Sequence, residues 1–467
     1  MSETIILPGV SDDVNGTLNL LLERLDAKQP RNFLRASYYD GKRAVRQVGT
    51  IIPPQYYRLA IALGWSAKAV DILARRCNLD AFVWPDGDLG SIGYREVYDG
   101  NHLGTEISSG IVSSLIHGTA FLVNTLGDTS AGEPAGLIHV RDAFSATGSW
   151  NPRARRLDSL LSITGRDDEG KPNSLALYLD GLTITAEKDS SGWSVDPSEH
   201  PWGVPAEPLV YKPRVGRPFG ASRISRPVMS LHDQALRAII RMEGHADVYS
   251  FPEMWLLGAD ESIFKNSDGS QKAAWQVMLG RIKAIPDDEG ADQPRADVKQ
   301  FSASSPEPHL AQLNALAKMF ARETSLPDTS VAITDIANPT SAEAYDASQH
   351  ELISEAEGAT DDWTPAIRRA HVRALAMQNG LDSVPAEWST IDAKWRDPRY
   401  LSRAAQADAG SKIVPLIAAA QSEVELELMG LSQQQIQRVM ADKRRNQGRS
   451  VLEALRSVPS GNVNPTG

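Results

Sequence analysis

The sequence predicts an α+β fold, predominantly α-helical, on three observations. Helical stripes of apolar residues fill most of the chain before residue 136 and after residue 212. Between them, residues 136–212 change to short β runs separated by turns. A polar, Ala-rich stretch over 338–380 repeats apolar or small residues at Tyr345, Ser348, Leu352, Ala356, Ala359, Trp363, Ile367, Ala370 and Ala374, the spacing of one helical face.

A chain of 467 residues is long enough for two to four domains and a large core. Its 41% hydrophobic and 23% charged residues are ordinary for a globular protein. No run approaches the ~18 apolar residues of a membrane-spanning helix, so no membrane partner is expected. The N-terminus lacks the basic region and apolar core of a secretory signal. A single cysteine, Cys77, excludes an intramolecular disulfide and fits a reducing compartment. The net charge of −11 argues against tight, sequence-independent nucleic-acid binding, which needs a basic surface. A duplex that slides past weak contacts remains compatible with it.

In chain order, residues 14–28 carry Leu18, Leu21, Leu22 and Leu25 in a helical stripe that Pro30 is expected to end. A tight turn follows at Asp40-Gly41. It is not a phosphate loop, because Ala36 and Arg43 stand where that pattern needs Gly and Ser or Thr. Residues 57–78 read as helix, with Trp65, Ala69, Ile72 and Leu73 inward and Arg58, Lys68, Arg75 and Arg76 on a solvated face. Cys77 reads as a small buried hydrophobe. Residues 86–90 resemble a calcium loop too weakly to count, since Val97 occupies its twelfth position. Residues 102–124 read as helix running into a strand.

The β-rich module has strand candidates at 137–140, 159–164, 175–179, 182–186, 193–195 and 208–211. Asp180-Gly181 marks a hairpin between two of them. Arg153, Arg155 and Arg156 cluster at one turn, either a plain surface loop or a subunit-pairing surface. A Pro/Gly/Arg loop at 213–220 leads to a helix over 230–249 and a strand over 253–258. Residues 270–283 and 309–326 read as two helices flanking 284–308. Pro286, Gly290, Pro294, Pro306 and Pro308 forbid regular helix there, and six acids against two bases give that segment net −4. Within 338–380, Thr340 and Glu343 have capping-box spacing, while Asn338-Pro339 is an equally good cap. Gly358 and Pro365 should bend this helix and Gly380 should stop it. Further helices are expected to about residue 456, with a frayed tail over 457–467.

Reactive chemistry is not legible. The nine histidines show no His-x3-His pair and there is no second cysteine, so no metal site is expected. Neither a Gly-x-Ser-x-Gly elbow nor a Gly-x-Gly-x-x-Gly loop occurs. No catalytic residue and no cofactor can be named, and a non-enzymatic role is expected.

Four blocks in order resemble the portal proteins of long-tailed double-stranded-DNA phages. They are Tyr38-Tyr39-x-Gly41 with Gly64-Trp65 and Val70-Asp71-x-Leu73-Ala74-x-Arg76; Gly220-x-Ser222-x-Ile224 entering a helix with Asp233; Ala274-Trp275 through Leu279-Gly280-Arg281-Ile282 to Ile285-Pro286-Asp287-Asp288; and Leu326-Pro327 followed by Asn338-Pro339-Thr340-Ser341-Ala342-Glu343-Ala344. The resemblance implies a portal-type fold. Residues 1–260 would be a wing holding the β module, 261–283 and 309–327 the two stem helices, and 284–308 the clip. A tunnel loop would follow at 328–338, a long kinked wing helix at 339–380 and a helical crown at 381–456.

It further implies a homo-oligomer, a dodecamer, at one capsid vertex of the virion, assembled in the host cytoplasm. Such rings pass double-stranded DNA without sequence specificity. They bind the large terminase subunit and then head-completion or adaptor proteins, beside the major capsid protein and scaffold. Mapped here, Asp328, Thr329, Ser330, Val331, Ile333, Thr334, Asp335 and Ile336 would face DNA, with two acids and no Lys or Arg between 326 and 340. Lys272, Arg281 and Lys283 on the stem would either lie near DNA or pair between subunits. Pro286, Asp287, Asp288, Glu289, Asp292, Arg295 and Lys299 would form the clip interface, and Asn338, Pro339, Thr340 and Glu343 the cap of the long helix. Another oligomeric adaptor protein of a phage or prophage is the alternative.

Overall fold

The computed structural model describes residues 4–42, 61–249, 254–257, 268–270, 297–300, 305–332 and 347–399, with parts of 408–445. The chain opens with helix α1 (Asp12–Tyr39), whose cap is Ser11 accepting from the Val14 N–H. Pro30 lies inside α1 and does not end it. Proline's fixed φ suits a helix, and the cost is a lost ladder bond. Side chains on both sides of Pro30 hold the helix in place. Arg24, Gln29, Asn32 and Arg35 donate to the carbonyls of Gly148, Phe144, Ala143 and His117, at 2.6–2.9 Å. The expected turn at Asp40-Gly41 follows, with Gly41 at φ +66°.

Helix α2 (Trp65–Ala74) is shorter than expected, because residues 61–64 are not helical. It leads to strand β1 (Leu79–Val83), helices α3 (Tyr94–Gly100) and α4 (Leu103–His117), and strand β2 (Thr119–Leu126). The β module then divides in two. Strands β3 (Gly136–Arg141) and β9 (Ala206–Val210) flank β2 in an antiparallel three-stranded sheet. Strands β4 (Ala146–Asn151), β5 (Arg156–Arg166), β6 (Pro172–Leu179), β7 (Leu182–Asp189) and β8 (Gly192–Glu199) form an antiparallel meander in that order. Strand β4 had not been expected; its Ala-Thr-Gly-Ser-Trp-Asn sequence carries little β signal. The Asp180-Gly181 hairpin forms as predicted, with Gly181 at φ +74°.

Alternation places the two faces of the meander in different cores. Leu161, Ile163, Leu175, Leu177 and Ile184 meet Leu18, Leu21, Leu22 and Leu25 of α1. Leu160, Ala176 and Tyr178 meet Phe121 and Val123 of β2 and Ala206 of β9.

Helix α5 (Arg226–Tyr249) begins earlier than expected. Strand β10 (Met254–Leu257) pairs antiparallel with β11 (Asp297–Gln300), so part of the segment expected to be irregular is a strand. There Lys299 lies opposite Trp255. Helix α6 (Glu307–Glu323) starts two residues early because Pro308 fits its first turn, where no ladder donor is needed.

The long stripe is borne out in helix α7 (His350–Gln378), which runs through Gly358 and Pro365 and stops at Gly380, φ +64°. Leu352, Ala356, Ala359, Trp363, Ile367, Ala370 and Ala374 are all buried in the main core with α2, α4, α5 and α6. Ser348 is exposed, and Tyr345 lies outside the described residues. Past Gly380 the chain stays in the body: Trp388 and Ile391 enter the same core and β12 (Asp392–Trp395) pairs with β1. Arg76 is not merely solvated, since it donates to the Pro398 carbonyl at 2.5 Å and to Gln349 Oε1 at 2.9 Å. Cys77 is buried, and burial pushes its thiol up to about 12. A short helix α8 (Glu423–Leu428) is described beyond, its Glu427 paired with Lys394.

Candidate functional site

A buried polar cluster that joins four segments lies where α6 ends. Thr324 closes α6, donating its Oγ1 to the Phe320 carbonyl at 2.7 Å, and Ser325 takes a left-handed φ of +52°. The Leu326 N–H then reaches back to the Ala321 carbonyl at 2.9 Å. Leu326 is buried, Pro327 is extended, and Asp328–Ser330 makes one 3-10 turn closed by Val331. The helix end thus fixes the path of residues 326–331, with Val331 still packed against the main core.

Arg223 holds that end. Its Nη2 donates to the Thr324 carbonyl at 2.5 Å and its Nε to the Ala69 carbonyl of α2 at 2.6 Å. Its Nη1 reaches Tyr211 Oη at 3.0 Å and Glu355 Oε2 at 2.7 Å. Glu355, on α7, also accepts at Oε1 from Tyr211 Oη at 2.6 Å and from Lys212 Nζ at 2.5 Å. Four segments therefore meet on one guanidinium: α2, the end of β9, the last turn of α6 and the long helix.

The side chains of Arg223 and Glu355 are 3% and 9% exposed, so the pair is desolvated. Burial works against both charges, and the partners outweigh it. Glu355 is held down at about 2 by Arg223, then Lys212 and Tyr211, and Arg223 is held above its ordinary value by Tyr211 and Glu355. Glu355 takes its hydrogen bonds at Oε1, and Oε2 meets Arg223 as an ion pair. The buried pair acts as a joint because losing either partner strands a charge in the core.

The sequence folds this way because of Gly220 and Gly118. At Gly220 (φ +65°) an added Cβ would lie 2.2 Å from the Tyr211 carbonyl oxygen, and at Gly118 (φ +100°) it would meet Ala221 backbone at 3.2 Å. Two backbones cross there. Ala221 N–H bonds Tyr211, Tyr211 N–H bonds Gly118, and Arg223 N–H bonds Leu115. Ser222 Oγ donates to the Ile116 carbonyl at 2.5 Å and accepts from the Ile224 N–H at 3.0 Å, and Ile224 enters the main core. The Gly-x-Ser-x-Ile spacing thus builds the crossing, and Arg223, the unspecified residue between Ser and Ile, is the charge it delivers.

A second buried cluster ties α7 to the sheet. Glu207 of β9 accepts from Arg369 Nε at 2.8 Å and Arg373 Nη2 at 2.7 Å, and Arg373 Nη1 donates to Asn124 Oδ1 at 3.0 Å. Asn124 in turn donates to the Ala370 carbonyl at 2.9 Å.

Of the residues singled out from the sequence, Asp328 and Thr329 are exposed on the 3-10 turn, and Ser330 and Val331 are half-buried beside it. Ile333, Thr334, Asp335 and Ile336 lie outside the described residues, as do Lys272, Arg281, Lys283, Pro286, Asp287, Asp288, Glu289, Asp292 and Arg295. So do Asn338, Pro339, Thr340 and Glu343. Lys299 is on β11, opposite Trp255 of β10. Arg223, Glu355, Tyr211, Glu207, Arg369 and Arg373 were missed. The one signal for them was a charged residue inside an apolar context, as at Arg223 between Ser222 and Ile224. Among the described residues no group of three or more His, Cys, Asp or Glu side chains could hold a metal ion, and no helix is long and apolar enough to cross a membrane.

Residues 18–448 match the family model described as phage portal protein, SPP1 Gp6-like. The chain is 27% identical over 386 residues to the portal protein of Mycobacterium phage L5, covering 81% of this chain and 77% of that protein. It is 26% identical over 385 residues to the portal protein of Mycobacterium phage D29, with the same shares. Among solved structures it is similar to a chain in the neck of a native GTA particle computed with C12 symmetry, at 15% identity and TM-score 0.39, covering 79% of this chain and 89% of that one. A chain of the native gene transfer agent virion matches at 17% identity and TM-score 0.39 over the same shares.

Proposed function

The chain belongs to the SPP1 Gp6-like phage portal protein family, and from that membership we infer a subunit that works by enclosing a channel rather than by catalysis. Portal subunits form a ring at one vertex of the capsid, so its place is the virion. Twelve copies would surround the channel. Double-stranded DNA would enter through it during packaging and leave through it on ejection. The large terminase subunit would dock first, head-completion or adaptor proteins later, with the major capsid protein and scaffold around the ring.

The observation that carries this reading is the family match over residues 18–448. The finer assignments are supported by chemistry. Residues 328–338 as a tunnel loop would spring from the Arg223 joint, which gives a mobile substrate a fixed rim. Asp328 is exposed there and the loop holds no cation, so it repels phosphate and lets a duplex slide. The clip at 284–308 is acidic and suits a basic partner. Lys272, Arg281 and Lys283 as stem cations would partly offset the acidic rim.

Mass photometry and negative-stain microscopy of the purified protein test the reading. Perforated rings near twelve copies are expected. Solitary, unperforated particles under every assembly condition would overturn it.

A further inference from the structure

Arg24, Lys28, Arg31 and Arg35 recur on α1 at intervals of four, three and four residues, so they share one helical face. Like charges at that spacing destabilise a helix. None of the four forms an ion pair among the described residues. Arg24 and Arg35 donate to main-chain carbonyls instead, and the Lys28 ammonium lies 5.2 Å over the Phe219 ring. Burial, then Arg24 and Arg31, hold Lys28 below the usual lysine value, and burial, Arg31 and Arg217 bring Arg35 down to about 10. Among the described residues no acid pairs with this row, in a chain of net −11.

The face continues along the β4 side of the meander. Trp150 of β4 meets Phe219 edge to face at 6.5 Å, and the β4–β5 turn with the first residue of β5 presents Arg153, Arg155 and Arg156, all exposed and none ion-paired among the described residues. Strand β8 is the opposite edge, four strand spacings or roughly 19 Å away. Exposed there are Asp196 and Glu199, with Glu187 and Asp189 on β7 against a lone Lys188. Pro197 has no N–H to offer an added strand, so what this edge presents is carboxylates.

Two complementary faces on opposite sides of one module are what a closed head-to-tail ring requires. The loop that carries Phe219 also exposes Val215 at its tip. Exposed apolar groups among arginines fit the core of a protein contact, and phosphates gain nothing from them. We propose that the basic β4 side of one copy seats on the acidic β8 edge of the next copy, forming the lateral contact of the outer ring. This rests on the ring reading above.

Charge reversal tests it. One variant carries Arg153→Glu, Arg155→Glu and Arg156→Glu; the other carries Glu187→Lys, Asp196→Lys and Glu199→Lys. All six side chains are exposed, and circular dichroism and melting confirm that each variant folds. Each alone is expected to lower the ring fraction in mass photometry about tenfold or more. An equimolar mixture is expected to restore rings, since every contact around an alternating ring then joins opposite charges. One chain carrying all six changes should also assemble. Either triple variant assembling as the wild type does would overturn the proposal, as would failure of both restorations. If the arginine variant forms normal rings but loses retention of duplex DNA, the face is a phosphate surface and the proposal falls. Wild-type protein that makes no rings under the same conditions would instead remove the ring reading itself.

Discussion

The Nη1 of Arg223 lies 2.7 Å from Oε2 of Glu355, with both side chains nearly removed from solvent. That contact joins the long helix to the base of residues 328–332 through the Thr324 carbonyl. Its strength is conditional on both members. Arg223→Met should cost about 3–5 kcal/mol, because it leaves a carboxylate buried without its main partner. The double variant Arg223→Met, Glu355→Met should cost less than the sum of the singles, and urea unfolding of the four proteins measures the coupling. A single-variant loss below about 1 kcal/mol would mean the joint bears little.

Acid should weaken the fold in two separable stages. His371 is fully buried, both ring nitrogens lack a hydrogen-bond partner among the described residues, and Phe82 stacks on it at 3.7 Å. Burial brings its pKa from 6.5 to about 3. The unfolded chain therefore takes up the proton first, so this contribution is full above pH 6.5 and is lost as pH falls toward 3. The limiting slope is about 1.4 kcal/mol per pH unit. Glu355 lies at about 2 against an ordinary 4.5, so its contribution is full above pH 4.5 and is lost only below it. His371→Leu should reduce the slope between pH 6.5 and 4.5, leaving the share of His117, which burial also lowers to about 4, and leave the acid limb. Glu355→Gln should lower stability at neutral pH and take away part of the acid limb. An unchanged profile in His371→Leu would refute the assignment.

Gly220 and Gly132 both have positive φ, but only Gly220 has backbone where a Cβ would go. Gly132→Ala should cost about 1–2 kcal/mol, the strain of a left-handed alanine. Gly220→Ala should cost roughly 3 kcal/mol or more, as the strand crossing must open. Equal melting temperatures for the two variants would contradict the close approach.

On the proposal that residues 328–338 line the channel, their charge should set how freely DNA moves. Asp328→Lys with Asp335→Lys would give it two phosphate anchors, each a counterion-release contact. Phage carrying both changes should package and eject more slowly, with a rate that recovers as salt rises. Rates equal to those of the parent phage would remove residues 328–338 from the tunnel wall.

Some of this was written in the spacing of the residues. The α7 stripe from Leu352 to Ala374, the Asp180-Gly181 hairpin and the burial of Cys77 all follow from local rules, since periodicity and turn chemistry act within a few residues. Pro30 shows where such rules stop. In isolation it ends a helix, but the carbonyls of Gly148, Phe144, Ala143 and His117 hold the chain helical on either side of it. The β1–β12 pair was invisible because its two strands lie far apart in the chain. Strand β4 was invisible although its partner β5 is next in sequence, because its own residues carry little β signal.

By itself, then, the amino-acid order determined the helical bulk, the β module, the absence of a recognisable reactive motif and the four blocks that point to the portal family. Tertiary structure alone decided that Arg223, Tyr211, Glu355 and Thr324 would meet. The physical reason is that a buried charge is tolerated only where partners from distant segments converge on it. No window of sequence contains them together, so the joint exists only once the core has closed around it.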